Sequence, residues 1–289
     1  MTARWSSHAT RGVPTSGEEP RLLRKGGLIL AVAVVVVVAI VGCGGARDVG
    51  GDEGNGDAVR RGDRQSTEGN EASLGARPAI PTGQPLPPGV TVVEDAEGPI
   101  GRVHVPATLP PGAPAPLVVM FHGAGGASEQ SLELVRSVAD AHGLVVFAPD
   151  ARAATWDVIG GGWGPDVRAV DRGLRVVFDR VRVEPTAISA AGFSDGASYA
   201  LSLGLANGDL ISHVAAFSPG FAVPPRLVGK PSIFVSHGTD DSVLPIDRTS
   251  RRLVPPLQRS GYDVRYVEFA GGHVVPTELV AAAFEGFGS

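Results

Sequence analysis

Between Thr186 and Ala206 an apolar stretch runs into Gly192-Phe193-Ser194-Asp195-Gly196 and continues as a stretch rich in alanine and leucine. The first part reads as a buried strand and the last as a buried helix, so the backbone must turn sharply at Ser194. Glycines on either side remove side chains that would collide in such a bend. A strand feeding directly into a helix is the repeating unit of a parallel sheet covered by helices.

The flanking sequence continues the pattern. Expected strands are Gly101 to Val105, Pro116 to Phe121, Leu144 to Ala148, Thr186 to Gly192, His213 to Phe217, Ser232 to Ser236 and Tyr262 to Phe269. The continuous apolar runs among them suit strands buried on both faces. Ser128 and Glu129 open a helix, and Gly143 stands where its C-cap falls. Asp166 to Arg180 places Val167, Val170, Leu174 and Val177 on one helical face. A helix over Arg248 to Ser260 is expected to break or end at Pro255-Pro256, and a helix from Thr277 to Phe287 closes the chain. The fold class is α/β, a mostly parallel sheet flanked by helices with no large lid domain. Ligands in such sheets sit beyond the carboxyl ends of the strands.

The first 89 residues read differently. Arg21, Arg24 and Lys25 precede an uncharged apolar run from Leu28 to Val41, which ends at Gly42-Cys43. A basic stretch, a short apolar stretch and small residues at a cut site form a secretory pattern. Ile40-Val41-Gly42-Cys43 resembles the lipobox of bacterial lipoproteins, and that resemblance implies a lipid on Cys43. The alternative is a single anchor helix over Gly26 to Ala46, against the roughly 20 residues a span requires. Both readings put the body of the protein outside the cytoplasm, held at a membrane. Residues 44–89 are rich in Gly, Pro and charge, and they are expected to form a flexible tether before a catalytic domain over 90–289.

The composition excludes several classes. One cysteine leaves no internal disulfide framework, and no Cys/His cluster has metal-ligand spacing. No cofactor is implied. A net charge of −5 argues against a nucleic-acid partner.

The remaining unusual residues all follow expected strands. A serine hydroxyl needs a base to take its proton. Of the seven histidines, only His273 lies beyond the last expected strand, in a Gly271-Gly272-His273 loop. His213 and His237 sit in or at the end of earlier strands, where packing or loop hydrogen bonds suit them better. The loop after Ser232–Ser236 offers Asp240 and Asp241 as the acid that orients the imidazole, and spacing does not choose between them. An oxyanion hole needs two backbone N–H donors. One is expected from Asp195 and the other from the loop His122-Gly123-Ala124-Gly125-Gly126.

Pro116 to Gly123, Gly192-Phe193-Ser194-Asp195-Gly196 and His237-Gly238-Thr239-x-Asp241-x-Val243-x-Pro245 together resemble the α/β-hydrolase family. Within it they are similar to small lidless esterases, of the phospholipase/carboxylesterase group and the polyhydroxybutyrate-depolymerase-like and feruloyl-esterase-like group. The resemblance spans about 100–287. It implies a triad of Ser194, Asp241 and His273, and Ala124 N–H as the second oxyanion donor. The implied activity is hydrolysis of a small or polymeric carboxylic ester. Acyl transfer or peptide cleavage by the same triad, and a non-catalytic binding lipoprotein, are the alternatives. His122, Gly123, Trp156 and Trp163 are candidate substrate-lining residues, the tryptophans because their segment leaves the carboxyl end of a strand, although they equally suit packing of that segment onto the domain.

Overall fold

The computed structural model describes residues 72–288. The expected signal peptide, the alternative anchor helix, Cys43 and the first part of the tether lie outside them. The described elements run β1 (Gly89–Asp95), β2 (Gly98–Val105), β3 (Ala115–Phe121), α1 (Ser128–His142), β4 (Val145–Pro149), α2 (Pro165–Arg180), β5 (Val183–Phe193), α3 (Asp195–Ala206), β6 (His213–Phe217), β7 (Ser232–Gly238), α4 (Ser250–Arg259), β8 (Val264–Phe269) and α5 (Thr277–Ala283). Short 3₁₀ turns cover Asp157–Gly160 and Ile246–Arg248.

All eight strands form one sheet in the order β1-β2-β4-β3-β5-β6-β7-β8. β1–β2 and β2–β4 pair antiparallel, and every other pair is parallel. The central strands are apolar on both faces because helices cover both. Leu174 and Val177 of α2 and Leu201 and Leu205 of α3 pack on one face. Leu132 and Val135 of α1 and Val280 of α5 pack on the other. Register brings Phe121 of β3 beside Gly192 of β5, and Phe217 of β6 beside Phe193 and Ser236. The carboxyl ends of the central strands therefore open onto one place.

Three expectations are corrected. First, α4 runs through Pro255 and Pro256. The prolines remove N–H groups that would meet the carbonyls of Arg251 and Arg252, both exposed residues whose carbonyls water can serve. Leu253, Val254 and Leu257 are buried on the opposite face, and that packing holds the helix. Second, β1 begins at Gly89 as a sheet edge, where no strand was expected. Third, the tether does not extend to residue 89. Ala72, Leu74 and Ala76 are buried against the domain. The Leu74 N–H donates to Asn207 Oδ1 (2.8 Å), and Asn207 Nδ2 donates to the Ala72 carbonyl (2.8 Å). Gly75 and Ala76 N–H both donate to Asp171 Oδ1, each at 2.6 Å. Gly83 and Leu86 N–H donate to the carbonyls of Asp179 and Arg180. Leu74, Ala76 and Leu86 join the core, and side chains and backbone carbonyls of the body satisfy the segment's backbone.

Candidate active site

Ser194 sits between β5 and α3 at φ 58° and ψ −120°. A non-glycine residue there is strained, and the surroundings must hold it. The neighbouring glycines are required by close approach. A Cβ on Gly192 would lie 2.3 Å from the Gly196 backbone, and one on Gly196 would lie 2.2 Å from the Phe121 carbonyl oxygen. The Ser194 N–H donates to the Phe217 carbonyl (3.0 Å), and the Ser194 carbonyl caps α3 through the Ala197 and Ser198 N–H groups. The bend presents the Ser194 hydroxyl at the carboxyl end of the sheet.

Among the described histidines, only His273 reaches that hydroxyl. Its Nε2 lies 2.9 Å from Ser194 Oγ, and its Nδ1 lies 2.6 Å from Asp241 Oδ2. A carboxylate only accepts, so Nδ1 carries the hydrogen and Nε2 is free to accept from the serine. The His273 ring lies against Phe193, with centroids 4.6 Å apart. Asp241 and Asp240 separate cleanly. Asp241 is buried, and its Oδ1 accepts from the N–H groups of Val243 (2.9 Å) and Leu244 (2.8 Å). Asp240 is exposed, and it ties the two loops through its backbone N–H to the Gly271 carbonyl (2.9 Å).

The loop after β3 approaches Ser194 from the other side. A Cβ on Gly123 would lie 3.4 Å from Ser194 Cβ. Gly125 adopts φ 67°, and its N–H is committed to the Ala154 carbonyl, as that of Gly126 is to the Gly123 carbonyl. The Ala124 N–H makes no hydrogen bond of this kind. Asp195 is the first residue of α3, where an N–H has no partner within the helix. These two donors remain available beside Ser194.

No protein-family model matches the chain. A curated relative, named "Putative esterase NocK", from Nocardia uniformis subsp. tsuyamanensis, is 30% identical over 156 residues. The match takes in 48% of this chain and 45% of that relative, so less than half of the relative's length is spanned. The crystal structure of esterase PE8 superposes with a TM-score of 0.54 at 23% identity, covering 64% of this chain and 96% of that one. A CE1 ferulic acid esterase from Anaeromyces mucronatus, in complex with ferulic acid, gives 0.52 at 18% identity over 68% and 88% of the two chains. A butyrate-bound thermophilic esterase from Thermogutta terrifontis gives 0.51 at 19% identity over 67% and 88%. The chain has the α/β-hydrolase fold.

Within this hydrolase fold, the segment after β4 has a role that its sequence did not suggest. It braces both sides of Ser194. The Ala154 carbonyl holds Gly125, and Thr155 Oγ1 donates to Asp195 Oδ2 (2.7 Å). The Ala151 N–H donates to His122 Nε2 (3.1 Å), which leaves His122 Nδ1 to donate to the Gly123 carbonyl (2.8 Å). Of the two roles open to Trp156, the structure shows packing: it is buried. Its Nε1 donates to the His122 carbonyl (2.8 Å), and its ring stacks on Tyr199 with centroids 4.8 Å apart. Trp156 thus bolts the loop after β3 to the core. Trp163 is partly buried and packs 5.5 Å from Tyr199. Burial pushes the Tyr199 hydroxyl well above its ordinary range, so it stays protonated. Asp157 and Asp166 pin the same segment through the N–H groups of Gly164, Asp166, Arg152 and Asp157.

A cavity of about 250 Å³ opens beside the loop after β3, lined by His122, Gly123, Ala124, Ser131, Leu134 and Phe193 among others; Ser194 and His273 do not line it. His104 and His213 are occupied elsewhere. His104 meets Asp140 (2.7 Å), and His213 meets Ser232 Oγ (2.8 Å) while burial lowers its pKa to about 4. Among the described residues, no group of three or more His, Cys, Asp or Glu is placed to hold a metal ion.

Proposed function

We propose that this protein is a serine ester hydrolase that works through an acyl-enzyme, with Ser194 as nucleophile, His273 as base and Asp241 as acid. The observation that carries the reading is the unbroken hydrogen-bonded series from Ser194 Oγ through His273 to Asp241, at 2.9 and 2.6 Å. Ser194 Oγ attacks the ester carbonyl while its proton passes to His273 Nε2. Asp241 accepts the Nδ1–H and stabilises the imidazolium. The N–H groups of Ala124 and Asp195 receive the oxyanion. Collapse of the tetrahedral intermediate expels the alcohol, which takes the proton from His273. Water then attacks the acyl-enzyme with the same base and releases the acid.

Short or single-ring acyl groups are the first substrates to test, as the structural neighbours are bound to ferulic acid and butyrate. The test is hydrolysis of p-nitrophenyl acetate, butyrate and octanoate by the chain and its Ser194→Ala variant. Turnover strongest on the short esters and absent from the variant is expected. Turnover surviving Ser194→Ala would defeat the assignment.

The same reading places the enzyme outside the cytoplasm, lipidated on Cys43. Its support is the basic and apolar run that ends at the only cysteine. Cys43→Ala is expected to abolish incorporation of radiolabelled palmitate in a bacterial host. Undiminished labelling would exclude Cys43 as the lipid site.

A further inference from the structure

His237 ends the apolar part of β7, and it is fully buried. Its Nε2 lies 2.8 Å from the Leu244 carbonyl oxygen and 3.2 Å from Asp241 Oδ2, and its Nδ1 lies 2.7 Å from Ser250 Oγ. A carbonyl only accepts, so the ring hydrogen sits on Nε2, and Nδ1 accepts from the Ser250 hydroxyl. Burial lowers the proton affinity of this ring, which keeps it neutral in that tautomer. Asp241 Oδ2 thus accepts from His273 Nδ1–H and lies 3.2 Å from His237 Nε2, whose hydrogen bond goes to the Leu244 carbonyl, while Oδ1 takes two backbone N–H groups.

We propose that His237 is a positioning residue for the acid: its Nε2–H holds the Leu244 carbonyl, and so the turn whose N–H groups grip Asp241, and its positive end beside Oδ2 withdraws charge from the oxygen that holds His273. The proposal rests on the ester-hydrolase reading. Without that N–H, Asp241 concentrates its charge on His273 and its rotamer loosens. The imidazolium is then favoured in the resting enzyme, and the base is less often aligned with Ser194. The titratable groups facing His237 are Asp241, His273 and, across the β7–β8 pair, Glu268, whose charge is balanced by Arg251 of α4 beside Asp247.

The experiment compares the wild-type chain with His237→Leu, His237→Gln and His237→Asn on p-nitrophenyl acetate across pH. In the Leu variant, kcat is expected to fall about tenfold with KM held, as the N–H that anchors Leu244 beside Asp241 is lost. The acid limb of kcat/KM moves to higher pH, because His273 holds its proton more tightly. Glutamine places an N–H near the position of Nε2 and is expected to recover most of kcat. Asparagine is too short and is expected to resemble leucine. Unchanged kcat and pH profile in His237→Leu would overturn the proposal, as would equal losses in the Gln and Asn variants. That pair decides the question if the Leu variant does not fold. A readout independent of turnover is the downfield proton resonance of His273 Nδ1–H. It is expected to shift in His237→Asn and return in His237→Gln, and an unmoved resonance would also overturn the proposal. Failure of the ester-hydrolase reading shows instead in the Ser194→Ala comparison, so the two fail separately.

Discussion

The segment after β7 and the segment after β4 both leave the carboxyl end of a strand beside Ser194, but they reach it by different means. The first, Thr239 to Leu244, delivers a carboxylate to His273. The second, Ala151 to Trp156, delivers a carbonyl to Gly125, a hydroxyl to the Asp195 side chain and an indole N–H to the His122 carbonyl. On the proposed reading, one segment holds the group that would move the proton, and the other holds the backbone that would receive the oxyanion. Chemistry that needs a particular side chain leaves a mark in the residue types, whereas support for a backbone can come from almost any residue.

The largest effect that tests this contrast lies in the first segment. Asp241→Asn is expected to lower kcat by about ten thousand-fold, because an amide cannot fix the tautomer of His273 or stabilise its charge. Asp240→Asn is expected to leave kcat within about twofold, since its exposed carboxylate contributes little and its backbone N–H is retained. Steady-state kinetics on one ester checks both. Comparable losses in the two variants would mean that the loop as a whole, and not one carboxylate, carries the effect.

Legibility follows the same division. Ser194 was readable because a strained turn demands glycines at fixed offsets, and His273 because it is the only histidine after the last strand. His213 to Phe217 matched its expected bounds, since an apolar run between polar turns can only be a buried strand here. Spacing alone did not choose between Asp240 and Asp241. Their adjacent side chains point to opposite environments, one buried and one in water, and only the three-dimensional loop decides. The role of Trp156 stayed open for a related reason. A tryptophan after a parallel strand can face the ligand or the core, and here the His122 carbonyl draws its N–H inward. Residues 72–88 misled through composition. Gly and Pro content describes what a segment can bury by itself, not the partners that Asn207, Asp171, Asp179 and Arg180 supply from elsewhere.

The smallest effect tests the brace. Thr155→Val keeps the shape of the side chain and removes the donor to Asp195 Oδ2. If that bond only decorates the surface of the loop, kcat should not change. If it fixes the first turn of α3, and with it the direction of the Asp195 N–H, the oxyanion is held less well and kcat falls by about fivefold, equivalent to about 1 kcal/mol. Because the triad is untouched, the pH dependence should stay that of the wild type, in contrast to variants around Asp241. A drop in kcat with an unmoved pH profile would assign the β4 segment to the oxyanion side of the site alone. A shifted profile would mean that the two segments are coupled through the elbow, and the division between proton transfer and oxyanion support would have to be given up.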